Sequence, residues 1–203
     1  MRPSVLVLHL PGTNRDHDVA EACVRAGGTA EIVPIAELLT GDRRLNEFQM
    51  LVLPGGFSHG DDLGAGRVWA MALRHRMRDQ LTEFVESGRP VLGICNGFQA
   101  LIKAGLLPLG DEKGVWASER PATLTNNASG KFECRWVRLV SDPRSPCIFT
   151  AGLSETIYCP VAHGEGRVIA RDQDTLDALE DCHQVALRYA SGDGSEDVYP
   201  DNP

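Results

Sequence analysis

Three stretches of the chain carry residue types with chemistry in them. In residues 90–104, Cys95 has Gly93 and Gly97 two positions away on either side. An apolar run, 91–94, precedes it, and Phe98, Leu101 and Ile102 follow at helical spacing. A strand that turns sharply into a helix exposes the residue at its tip, and small neighbours permit the turn; this is the spacing of a nucleophile elbow. A lone Cys ending a core strand is commonly structural. The paired glycines and the immediate helix favour a nucleophile instead. Amides at a helix start favour an anion, so the sequence predicts a lowered thiol pKa and a populated thiolate.

The second stretch, Pro54-Gly55-Gly56-Phe57-Ser58-His59-Gly60-Asp61-Asp62-Leu63-Gly64-Ala65-Gly66, is Gly-rich but lacks the Lys-Ser/Thr ending of a phosphate loop. Acyl transfer from a thiolate needs two donors aimed at the developing oxyanion. One is expected from the Gly55-Gly56 region and one from the amide of Asn96. In the third stretch, His163-Gly164-Glu165, the two side chains fit a base and its orienting carboxylate for Cys95. They fit equally well a structural His beside a surface carboxylate. A metal site from His-x-Glu alone is weakly indicated. Six cysteines, at 23, 95, 134, 147, 159 and 182, include no pair with metal-ligand spacing, and no metal is expected.

These residues need a frame. Residues 4–10 read as an apolar strand, followed by a turn in which Thr13 or Asn14 caps a helix bearing Val19, Ala22, Cys23 and Ala26. Residues 30–35 and 48–53 read as further strands, with a short helical turn at Leu38 and Leu39. The alternation predicts an α/β fold, a doubly wound, mostly parallel sheet with helices on both faces. Ligands of such sheets bind at the carboxyl ends of the strands, so the turns after strands one, three and four should meet. Residues 67–87 are expected as one helix, with Val68, Ala72, Leu81, Phe84 and Val85 buried and His75 solvated. Beyond the elbow helix come connections at 105–109 and 114–121. Strands at 123–125 and 132–140 follow, the latter alternating as in a sheet with one wet face. A short acidic helix at 174–181, a strand at 185–189 and a polar loop at 191–203 complete the pattern. In the 132–140 strand, Arg135 suits either a bidentate carboxylate contact or a surface ion pair.

At 203 residues with 42% hydrophobic content, the chain is expected to form a single globular domain, 1–203. A formal charge of -8 argues against a nucleic-acid partner, and no apolar run is long enough for a membrane span. The start runs straight into Val5-Leu6-Val7-Leu8 without a secretory leader, so reduced thiols and a cytoplasmic location are expected.

Gly93-Ile94-Cys95-Asn96-Gly97-Phe98-Gln99 resembles the nucleophile segment of class I glutamine amidotransferases. The variant with Asn96 and Phe98 is similar to the glutaminase subunits of phosphoribosylformylglycinamidine synthases, of purine biosynthesis. Three more segments resemble the same family: 54–61, the Asn-x-Ser-x-x-Phe-x-Cys-Arg-x-Val pattern from Asn127 to Val137, and Pro160-Val161-Ala162-His163-Gly164-Glu165-Gly166-Arg167. The resemblance spans essentially the whole chain, from Pro11 onward. It implies hydrolysis of glutamine through a Cys95 thioester, with Gln99 helping to hold glutamine. It implies delivery of ammonia to a synthetase subunit, which makes formylglycinamidine ribonucleotide from formylglycinamide ribonucleotide with ATP, and a possible small accessory subunit. No cofactor is expected on this chain; ATP and magnesium belong to the synthetase. The resemblance also places the family's catalytic His and Glu in a later Met-Pro-His-Pro-Glu segment, whereas no His or Glu follows Glu196 here. The expectation is therefore a domain lacking that C-terminal segment. Its readings are a fragment of an active enzyme, a chain in which His163 and Glu165 stand in, or a chain inactive alone. The rival functions are a catalytically impaired scaffold or regulatory subunit, and a Cys-elbow hydrolase of the same broad fold.

Overall fold

The computed structural model describes residues 2–108, 114–117, 119–191, 199 and 201–203. These fall into two compact units, Met1–Arg120 and Pro121–Pro203. Part of the expected connection at 105–109 and most of the expected loop at 191–203 lie outside the described residues.

In the first unit strand and helix alternate. β1 (Ser4–His9), α1 (Asp16–Arg25), β2 (Thr29–Pro34), α2 (Ile35–Thr40) and β3 (Met50–Leu53) lead to α3 (Arg67–Arg76), α4 (Arg78–Glu86), β4 (Val91–Gly93) and α5 (Asn96–Ala104). The four strands form one parallel sheet in the order β2-β1-β3-β4. Side chains of a strand alternate between faces. Leu6, Leu8, Leu51 and Leu53 thus enter a core with α2 to α5, through Leu38, Trp69, Leu73, Leu81, Phe84, Ala100 and Leu101. Val5, Val7 and Val52 point the other way, against Val19, Ala20 and Cys23 of α1. Helices therefore cover both faces, as the apolar strand runs imply.

Three local expectations need correction. Neither Thr13 nor Asn14 caps α1; Arg15 holds that position without a side-chain bond, and Asp16 and Asp18 supply the acidic first turn. The span 67–87 is two helices, broken at the fully buried Met77, whose φ of -114° departs from helical geometry. Its buried stripe, Trp69, Leu73, Met77, Leu81 and Phe84, runs one residue later than Val68 and Ala72 predicted, because burial of the large Trp69 sets the helix rotation.

The second unit is antiparallel. β5 (Ala122–Thr125) pairs with β8 (Arg167–Ala170), while β6 (Glu133–Ser141) lies between β7 (Ile157–His163) and β9 (Leu187–Ala190). Along β6 the exposed Cys134, Trp136, Arg138 and Val140 alternate with the buried Glu133 and Val137, the wet-faced pattern visible in the sequence. The inward Arg135 pairs with the buried Glu133 at 3.2 Å, neither a bidentate contact nor the surface pair expected, and lies over the Tyr199 ring. α6 (Gln173–Asp181) is capped by the Asp172 carboxylate, which accepts from the Thr175 amide. Among the described residues no helix is long and apolar enough to cross a membrane.

Candidate active site at the Cys95 elbow

Cys95 joins β4 to α5 with φ 51° and ψ -110°, a backbone conformation that costs an L-residue energy and persists only when its surroundings enforce it. The enforcement is visible at Gly97, where an added Cβ would lie 2.0 Å from the Leu53 carbonyl oxygen. The first turn of α5 is thereby pressed onto the end of β3. Ile94 donates its amide to that same oxygen at 2.9 Å.

The loop after β3 meets this elbow. Gly56, at φ 140°, has no room for a side chain: a Cβ would sit 2.8 Å from the Asn14 amide nitrogen. Its backbone amide and that of Asn96 both act on the Cys95 sulfur, each favouring the thiolate. Beside them, Gly55 comes so close that a Cβ there would be 3.3 Å from the Cys95 Cβ. The two amides expected from the sequence thus converge on the thiol.

Asn96, 1% exposed, locks the arrangement. Its Oδ1 accepts from the Ser58 amide at 3.2 Å and the Ser58 hydroxyl at 2.5 Å, while its Nδ2 donates to Asp61 Oδ1 at 3.0 Å and Gln99 Oε1 at 3.2 Å. The sequence reading gave Ser58 and Asp61 no role beyond membership of the family-like segment 54–61. Both lie in the Gly-rich stretch, but only three-dimensional pairing gives them a task. Gln99 is buried one turn into α5 and engaged with Asn96.

The electrostatics correct one expectation. Burial of the sulfur pushes the Cys95 thiol above the ordinary cysteine value, and the Asp61 carboxylate pushes the same way. The Asn96 and Gly56 amides pull it down without overcoming burial. Cys95 is an exposed residue by surface area, yet the atoms packed around its sulfur desolvate it enough to outweigh the helix terminus.

His163 and Glu165 belong to the second unit, at the end of β7 and in the turn that follows. Asn127 Oδ1 fixes the His163 ring through Nδ1 at 2.8 Å. His163 Nε2 is buried without a hydrogen-bond partner among the described residues. Burial, aided by Arg135 and opposed by Glu133, lowers the His163 pKa. Asn127, which the sequence offered only as the first residue of a family-like pattern and without a role, also donates to the His163 carbonyl at 2.8 Å.

A parallel sheet whose fourth strand ends in a strained cysteine, with two amides on its sulfur, is an arrangement for acyl transfer. The model of the CobB/CobQ-like glutamine amidotransferase domain matches residues 2–203. The chain belongs to this glutamine amidotransferase family. The amidotransferase is 44% identical to the phosphoribosylformylglycinamidine synthase subunit PurQ of Treponema denticola, over 100% of this chain and 79% of that protein. It is also 44% identical to the subunit of the same name from Dehalococcoides mccartyi, over 98% and 74% of the two chains. A chain in the structure of PurLQS from Thermotoga maritima superposes with a TM-score of 0.71 and 32% identity, covering 94% of the amidotransferase and 76% of that chain.

Proposed function

We propose that this chain is the glutaminase subunit of a phosphoribosylformylglycinamidine synthase. The Cys95 sulfur attacks the side-chain carboxamide of glutamine. A C–S bond forms, the C–N bond breaks, and the proton lost by the thiol ends on the nitrogen that leaves as ammonia. Water then adds to the thioester and releases glutamate, restoring the thiol. The Gly56 and Asn96 amides hold the oxyanion of each tetrahedral intermediate, with Gly55 keeping the approach open and Gln99 helping to hold glutamine. Ammonia passes to the synthetase subunit, which uses it with ATP to convert formylglycinamide ribonucleotide to the amidine. ATP and magnesium are assigned to that partner, a small accessory subunit to the same complex, and the location to the cytoplasm.

The observation that carries this reading is the convergence of two backbone amides on the Cys95 sulfur, in a chain 44% identical to subunits of that name. The family motif offers His163 and Glu165 of the second unit as the chain's own candidate base and carboxylate; ammonia release by His163→Ala, compared with wild type, decides whether turnover needs that side chain. The test of the function is ammonia release from glutamine, measured with the synthetase subunit present. Release that rises with the synthetase and disappears in Cys95→Ala supports the assignment. Release unaffected by Cys95→Ala contradicts it.

A further inference from the structure

The carboxylate of Asp16 is 8% exposed, and the chemistry described above does not use it. Asp16 opens α1 and His9 closes β1, so the two residues bracket the loop 10–15. His9 Nδ1 and Asp16 Oδ2 are 2.6 Å apart. The bracketed loop is otherwise a tight turn: Thr13 donates its amide to the Leu10 carbonyl at 2.9 Å, and the Thr13 hydroxyl accepts from the Leu10 amide at 3.3 Å.

The far side of this turn supports the oxyanion loop. Gly12 O accepts from the Phe57 amide at 3.1 Å, and Pro11 O accepts from the His59 amide at 2.8 Å. Thr13 and Gly56 form an antiparallel bridge. The Arg15 stem and the Cys95 Cβ both flank Gly55, at 3.8 and 3.3 Å from where its Cβ would stand. The backbone of 54–59 is therefore held by two supports. One is the Asn96 side chain from the elbow. The other is the 10–15 turn, whose ends are tied by His9 and Asp16.

We propose that His9 and Asp16 are positioning residues for the oxyanion donor at Gly56. The proposal rests on the reading of Cys95 as an acyl-transfer nucleophile. A buried carboxylate bonded to an imidazole is a directional tie. It fixes the separation of the strand end and the helix start, and so the height of the turn against Gly56. Oxyanion donors act only if they stand within hydrogen-bond reach of the oxygen of the tetrahedral intermediate, so a small displacement of the loop weakens the transition state. The Gly56 amide also favours the thiolate, an effect that two reactions of the same thiol share and that their ratio cancels.

The test compares two reactions of the same thiol in this chain. Acylation by a p-nitrophenyl γ-ester of glutamate forms a C–S bond, breaks the ester C–O bond and expels p-nitrophenolate through an oxyanion. Alkylation by iodoacetamide displaces iodide and forms none. His9→Leu should lower the acylation rate at Cys95 roughly tenfold relative to the alkylation rate, part of the on the order of 100-fold that loss of a whole donor costs. His9→Gln, which keeps a donor toward Asp16, should recover most of the ratio. If His9→Leu does not fold, Asp16→Asn, which keeps the shape and drops the charge, should lower the ratio several-fold. A ratio equal to wild type in a folded variant overturns the proposal. A wild-type chain that is alkylated but never acylated at Cys95 overturns the acyl-transfer reading itself.

Discussion

Cys95 occupies a conformation that its own backbone disfavours, with φ at 51°. Strain of this kind costs on the order of 1–3 kcal/mol. Glycine adopts positive φ readily, so Cys95→Gly should abolish thioester chemistry and yet raise Tm. For about 1 kcal/mol recovered, roughly 2–4 °C is expected in a chain of this size. Thermal unfolding of the two proteins decides it, and an unchanged or lower Tm would remove strain from the account. Gly97→Ala should act in the opposite sense. A methyl group 2.0 Å from the Leu53 oxygen must drive α5 from β3, so Tm should fall by several degrees and Cys95 should lose its selective reactivity. The thiol also makes a pH prediction. Its pKa is raised, so alkylation should keep accelerating with pH beyond the point where an ordinary cysteine levels off. Asp61→Asn removes a charge that opposes the thiolate while keeping an acceptor for Asn96, and should shift that profile to lower pH. A profile unmoved by this change would leave Asp61 without electrostatic influence on Cys95. At this scale the sequence revealed Cys95 and the glycines because their spacing is a local, backbone-level signal. It gave the wrong direction for the thiol pKa because desolvation is a property of the packed site, absent from any sequence window.

At the scale of elements, the parallel sheet was legible because apolar runs of strand length alternate with amphipathic stretches. The break at Met77 was not, since Met continues both the helical propensity and the buried stripe of its neighbours. β7 and β8 were not read as strands, so the pairing of β5 with β8 was hidden as well, and alternation within a strand in any case says nothing about which strand lies beside it. In the second unit the neutral His163 ring is favoured by burial. A lowered folded-state pKa contributes stability that is present above the ordinary histidine value and lost as pH falls through the lowered one. Stability should therefore decline on mild acidification, and His163→Asn should flatten that part of the profile. Equal slopes in the two proteins would contradict the assignment. Asn127 matters to the same end, since its amide links the turn after β5 to the end of β7 through both the ring and the carbonyl of His163.

For the whole molecule, the acyl-transfer elements are concentrated in one of the two units. The elbow, its two amides and the Ser58–Asn96–Asp61 network are all built within Met1–Arg120. The segments resembling the family in the second unit instead hold an amide-tethered histidine whose Nε2 is buried. The chain matches 74–79% of the length of the two PurQ relatives compared above. The most direct test of the central claim is mass spectrometry after exposure to 6-diazo-5-oxo-norleucine, an alkylating mimic of glutamine, with and without the synthetase subunit. The account predicts a single adduct on Cys95 that excess glutamine prevents. Folded protein with no adduct in either condition, or with adducts that glutamine does not block, would contradict Cys95 as the glutaminase nucleophile.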